Sequence, residues 1–154
     1  MSNSEADYKE SQDSLQPNPK PSKIRILTYN FFIRPPGVHN TGDDYKDERI
    51  EIFKNYLKDY DIICFQELFN IGHRRPEKML TNGQESGYAY TVLSPKPSFF
   101  DWFKRPLENA GVATMSRYNM IDTQFRAFKY FASVDRFVMK GVLYTEIELP
   151  NGHH

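Results

Sequence analysis

The sequence predicts an α/β fold, on three observations. A β-branched run, Lys23 to Tyr29, is followed by a helical pattern from Asp44 to Tyr60. A continuous apolar run, Asp61 to Phe65, comes next. Strand, helix and strand in that order give two neighbouring strands whose C-terminal ends point the same way. The third observation is the alternating segment Phe137 to Leu149, which places Phe137, Met139, Leu143, Ile147 and Leu149 on one face of a further strand.

The elements follow in chain order. Residues Met1 to Ser22 are polar, with Pro17, Pro19 and Pro21 near their end. This segment buries too little apolar surface to offset ordering entropy, so it reads as a disordered tail before a domain over 23–154. Lys23 to Tyr29 reads as the first strand, with Asn30 at its end, and Arg34-Pro35-Pro36-Gly37 interrupts regular structure. In the helix, Ile50, Phe53, Leu57 and Tyr60 share a face, and Asp43 or Asp44 is placed to cap it. Asp61 to Phe65 lacks alternation, as expected for a strand buried on both faces, with Gln66 and Glu67 at its end.

Arg74 to Gly87 reads as a short helix and a loop, and Tyr88 to Leu93 as a strand. Ser94 to Asn109 holds Pro95, Pro97 and Pro106 around an aromatic cluster. Gly111 to Met115 is a short strand ended by Ser116-Arg117-Tyr118-Asn119. Phe125 to Ala132 is apolar without a clean period. After Leu149 comes Pro150-Asn151-Gly152, a hairpin signal whose second strand is expected beyond His154.

A chain of 154 residues suffices for one domain with a core. Its hydrophobic content, 39 %, is modest, and twelve Phe, ten Tyr and one Trp supply much of the buried area. Twenty basic and twenty acidic residues cancel, which gives no support to non-specific nucleic-acid binding. Cys64 stands alone in an apolar run and reads as a buried structural thiol, in keeping with a reducing compartment. An apolar leader is not expected at the N-terminus, nor a stretch near the ~20 apolar residues of a membrane span. The expected location is cytoplasmic or peripheral to a membrane.

Asn30 and Glu67 are the first chemical candidates. Each ends a core strand, and the strands are expected to be close. A hard cation such as Mg²⁺ takes oxygen ligands, keeps several waters and needs only one or two carboxylates beside a phosphate. Spacing alone favours Asn30 as a turn former and Glu67 as a solvated strand end, since Asn is a favoured turn residue.

Four segments in order carry a family resemblance: Ile26-Leu27-Thr28-Tyr29-Asn30, Phe65-Gln66-Glu67-Leu68-Phe69, Gly111-Val112-Ala113-Thr114-Met115-Ser116-Arg117-Tyr118 and Val138-Met139-Lys140-Gly141-Val142-Leu143-Tyr144. The first three resemble the opening motifs of the endonuclease/exonuclease/phosphatase superfamily. The Lys-Gly of the fourth resembles the neutral sphingomyelinase branch, which cleaves sphingomyelin to ceramide and phosphocholine. The resemblance spans Lys23 to Leu149 and implies the N-terminal half of a four-layer α/β sandwich, two mostly antiparallel sheets with outer helices. It implies Mg²⁺ as cofactor, with Glu67 as the metal-binding glutamate and Asn30 as the strand-end asparagine that orients metal or phosphate. It further implies substrate contacts from Asn109 and Lys140. For Lys140, an outward-facing lysine on an alternating strand is the other reading. Arg117 is expected to hold the turn after its strand.

The family's later Thr-His-Leu, Asp-Phe-Asn and Ser-Asp-His segments have no counterpart here, so no catalytic residue is assigned. His39 and His73 are left unassigned, and His153 and His154 lack the right neighbours. The chain alone is expected to be nearly inactive, since a general base contributes ~10²–10⁴-fold. Two alternatives stand beside this expectation: another superfamily phosphoesterase, acting on nucleic acid or an inositol phosphate, and a non-catalytic lipid- or protein-binding remnant. Finally, Phe99, Phe100, Trp102 and Phe103, beside Lys96, Lys104 and Arg105, have the composition of a contact with a membrane headgroup region. Packing of these rings on the domain is the competing reading.

Overall fold

A computed structural model describes residues 23–33, 45–70, 74–96, 109–129, 139–150 and 152. In chain order these form β1 (Ile26–Ile33), α1 (Lys46–Lys54), a 3₁₀ turn (Leu57–Asp59), β2 (Ile62–Leu68), α2 (Arg75–Glu85), β3 (Tyr90–Leu93), β4 (Ala113–Ser116), β5 (Met120–Ala127) and β6 (Gly141–Ile147).

The first four strands make a mixed sheet in the order β1-β2-β4-β3. Strands β1 and β2 are parallel, as the intervening helix requires, and the β2–β4 and β3–β4 pairs are antiparallel. Strands β5 and β6 form a second, antiparallel sheet, and β6 touches β4. Two sheets with two helices make the α/β sandwich that the sequence implies.

The core lies between the mixed sheet and the helices. Ile50, Phe53 and Leu57 are buried, which bears out the expected apolar face, and they meet Phe31, Ile63, Phe65, Leu68, Met79 and Met115. Phe31, Phe53 and Phe65 pack mutually edge-on, with centroids 5.2 to 5.9 Å apart, and Tyr29 joins Phe31 and Phe53. Ion pairs Asp47–Arg75, Glu51–Lys78 and Lys54–Glu85 link α1 to α2 along their exposed sides.

Several expected boundaries shift, each for a local reason. The first strand does not end at Asn30. It continues to Ile33, because Phe31 and Ile33, each 1 % exposed, extend its buried face. The second strand likewise runs past Gln66 and Glu67 to Leu68. The helix expected over 44–60 stops at Lys54, and the bonds Asn55 N to Ile52 O and Tyr56 N to Phe53 O tighten the chain into the 3₁₀ turn. That turn still carries Leu57 into the core. The Asp43 and Asp44 caps lie outside the described residues.

Strand β5 begins upstream of the apolar stretch noted at 125–132. Its Asp122, Thr123, Gln124 and Arg126 blur the period of a sheet exposed on one side. Strand β6 pairs with β5 from Ala127↔Gly141 to Met120↔Ile147. The turn after Leu149 is present, with Gly152 N donating to Leu149 O at 2.8 Å. The tail 1–22, His39, His73, Phe137, Val138, His153, His154 and the aromatic cluster Phe99, Phe100, Trp102 and Phe103 all lie outside the described residues. Among the described residues, no helix is long and apolar enough to cross a membrane.

Candidate functional site

The C-terminal ends of β1 and β2 are built around a break in register. Asn30 pairs with Gln66 and Ile33 with Leu68, so Phe31 and Phe32 lie opposite the single residue Glu67. Both Phe32 (φ 56) and Glu67 (φ 51) take left-handed backbone, which costs a non-glycine residue roughly 1–2 kcal/mol. The break has a clear effect on side-chain direction. In a regular strand Glu67 would point with Ile63 and Phe65 into the helix-facing core. The left-handed turn instead lets Leu68, fully buried, take that side, and leaves the Glu67 carboxylate half-buried at the strand mouth.

Asn30 serves the same break. Its Oδ1 accepts a hydrogen bond from Phe32 N at 2.9 Å, a short-range bond that Asn forms readily and that fixes the orientation of the amide. By alternation Thr28 and Asn30 share a face with Cys64 and Gln66, opposite the helices, and Gln66 Nε2 donates to Thr28 Oγ1 at 2.9 Å. Cys64 is half-buried, and burial pushes its thiol up against the opposing bond to Thr114. It is therefore a poor nucleophile.

Asn109 reaches the same end of the sheet. Strand β4 runs antiparallel to β2 with Ala113 opposite Phe65, so the residues before β4 lie beside those after β2. Leu68 N donates to Gly111 O at 2.8 Å. Gly111 has φ 64, and a Cβ there would meet the Phe69 ring at 2.7 Å, so this crossing requires glycine. Asn109 is fully buried. Its Oδ1 accepts from Gly111 N at 3.1 Å, and its Nδ2 has no partner among the described residues. Ser94, which ends β3 at this edge and whose N donates to Val112 O, is buried with its hydroxyl likewise unpartnered.

Asn30, Glu67 and Asn109 thus converge at one end of the mixed sheet. Lys140 stands apart, exposed at the start of β6 in the other sheet, where its carbonyl accepts from Phe128 N at 2.8 Å. The adjoining Gly141 has a packing reason, since a Cβ there would run into Arg126 O of β5. Arg117 holds its turn as expected. Its guanidinium donates to the carbonyls of Tyr60, Ser86 and Leu57 and covers the Tyr88 ring.

No group of three His, Cys, Asp or Glu side chains that could hold a metal occurs among the described residues. Among the described residues, the mouth offers one carboxylate, Glu67, and two carboxamides, Asn30 and Asn109. That donor set fits Mg²⁺, which retains waters and shares its shell with a phosphate, and does not fit a closed zinc site. Sequence reasoning missed Arg49 of α1, which donates to Phe31 O at 2.8 Å and reaches Phe32 O at 3.5 Å. An arginine on an amphipathic helix reads as solvated, and no motif marks it.

No family model matches the chain. It is 31 % identical over 121 residues to a sphingomyelinase of Dictyostelium discoideum, covering 78 % of this chain and 26 % of that protein. It is 30 % identical over 141 residues to sphingomyelinase C of Leptospira interrogans, covering 84 % and 25 %. The chain therefore spans about a quarter of the length of these relatives. Two structures of beta toxin from Staphylococcus aureus superpose with TM-scores of 0.67 and 0.66 at 24 % identity, covering 86 % and 84 % of this chain and 49 % and 46 % of theirs. The second of them contains bound magnesium ions. A Leptotrichia buccalis protein of the endonuclease/exonuclease/phosphatase family superposes at 0.51 with 14 % identity over 83 % of this chain and 50 % of that one.

The fold is thus that of the endonuclease/exonuclease/phosphatase proteins. Within that class, the homologues of this chain are sphingomyelinases and phospholipases C.

Proposed function

We propose that the chain forms the metal-binding part of a Mg²⁺-dependent phosphodiesterase of neutral sphingomyelinase type, acting on sphingomyelin to give ceramide and phosphocholine. The convergence of Asn30, Glu67 and Asn109 at one sheet end carries this reading, with the backbone break that keeps the Glu67 carboxylate out of the core. Glu67 would hold the ion. When bound, Mg²⁺ polarises a phosphoryl oxygen and neutralises charge developing on it. Asn30, its oxygen already accepting from Phe32 N, would have a second lone pair for the metal and Nδ2 donors for a phosphate oxygen. Asn109 Nδ2, buried and without a partner among the described residues, would donate to the substrate, and Lys140 would face its phosphate from the second sheet.

A proton acceptor for the attacking water is not among the residues assigned. The 154-residue chain by itself is therefore proposed to bind metal without appreciable hydrolysis. Membrane contact through Phe99, Phe100, Trp102 and Phe103 belongs to the same proposal.

Calorimetric titration tests it. Mg²⁺ should bind the chain and not its Glu67→Gln variant, and phosphocholine should bind the Mg²⁺-loaded form more tightly than deoxyribose 5-phosphate. Equal Mg²⁺ binding by both proteins would remove the metal role of Glu67. Preference for the sugar phosphate would move the substrate to nucleic acid.

A further inference from the structure

We infer that Arg49 is a positioning residue for the metal site, clamping the paired break at Phe32 and Glu67 from outside the sheet. The inference rests on the proposed role of Glu67. Among the described residues β1 is the edge strand of the mixed sheet, and at its register slip the carbonyls of Phe31 and Phe32 meet Arg49 of α1. An edge strand must have such groups covered or hydrated. Arg49 supplies the cover from α1, with Nη1 to Phe31 O at 2.8 Å and Nη2 to Phe32 O at 3.5 Å, and its guanidinium 5.9 Å from the Phe31 ring centre.

Its neighbours make the assignment sharper. Asp47, Glu51 and Lys54 of the same helix face α2 and pair with Arg75, Lys78 and Glu85. Arg49 instead turns to the sheet. Its Nε is buried without an acceptor among the described residues, and the two carbonyls of the break are the acceptors that hold the guanidinium there. A planar fork suits two adjacent carbonyls as a point charge does not. Asn30 Oδ1 holds Phe32 N from inside the strand while Arg49 holds Phe31 O and Phe32 O from outside. Both the donor and acceptor sides of the break are therefore fixed, and with them the direction of Glu67 across the register step. Groups that orient a metal ligand typically matter about 10- to 100-fold in metal affinity.

The test uses isotope-labelled 154-residue chain, with Mn²⁺ as the probe. Wild type should show left-handed Cα shifts at Phe32 and Glu67. In Arg49→Gln those shifts should move toward extended values and Mn²⁺ affinity should fall about 10- to 100-fold, at a melting temperature close to wild type. Arg49→Lys should fall between the two, and it decides the matter by the same readouts if Arg49→Gln does not fold. Unchanged shifts and affinity overturn the inference. If wild type and Glu67→Gln bind Mn²⁺ alike, the proposed function fails, and the shifts at Phe32 and Glu67 alone decide the role of Arg49.

Discussion

Phe32 and Glu67 lie across from each other in neighbouring parallel strands, and both adopt left-handed backbone. Neither residue favours that conformation, and Phe is among the side chains least suited to it. The pairing shows that the break belongs to both strands together. Strain of this kind persists where surrounding structure fixes it and gathers at functional sites. Here its product is the exchange of sides between Glu67 and Leu68.

Glu67→Asn should separate strain from function. Asparagine tolerates left-handed backbone, so the variant is expected to be more stable by about 1 kcal/mol while losing divalent-metal binding. Urea denaturation and calorimetry measure the two effects. Loss of stability together with loss of binding would mean that the Glu67 carboxylate supports the fold.

Leu68→Ala tests the exchange of sides directly. With Leu68 fully buried in the core cluster, the substitution should cost about 2–5 kcal/mol. A cost below 1 kcal/mol would place Leu68 outside the core and restore regular alternation.

At the opposite end of the sheet, the Tyr88 hydroxyl is shared between the carbonyls of Leu57 and Tyr60, each at 2.8 Å. Burial pushes this phenol up to about 12, with the nearby Arg117 acting the other way. An unfolded tyrosine titrates near 10. The folded chain therefore keeps the proton longer, so the contribution is complete below about pH 10 and is lost as pH rises toward 12. Tyr88→Phe should cost about 1–3 kcal/mol at neutral pH and flatten the alkaline decline between those limits, read from melting curves against pH. An identical alkaline slope in both proteins would assign the loss to other groups.

Arg117→Met should destabilise on the order of 3 kcal/mol, since three carbonyls lose a charged donor at once. Arg117→Lys should recover only part of this, because an ammonium cannot span the three acceptors. Metal binding at the far end of the sheet should be unaffected by either change.

Much of this was legible in the sequence for identifiable reasons. The parallel β1–β2 pair follows from one helix between two apolar runs, and the buried face of α1 follows from Ile50, Phe53 and Leu57. Asn30, Glu67 and Asn109 were legible by resemblance, and strand direction brings them to one end. The break between β1 and β2 was not legible, because nothing in Phe31-Phe32 or Gln66-Glu67 signals positive φ as glycine would. Arg49 escaped notice because its acceptors are backbone carbonyls eighteen and seventeen residues away, which carry no side-chain signature. Strand β5 was hidden by its polar outward residues, and its pairing with β6 decides what covers that strand.

In the proposed function, the mouth of β1 and β2 grips a divalent metal through Glu67. Paramagnetic Mn²⁺ added to the labelled chain tests it most directly. Selective broadening of the signals of Asn30, Glu67 and Asn109 is expected, and its absence in Glu67→Gln. Broadening at other carboxylates, or the same pattern in both proteins, would contradict it.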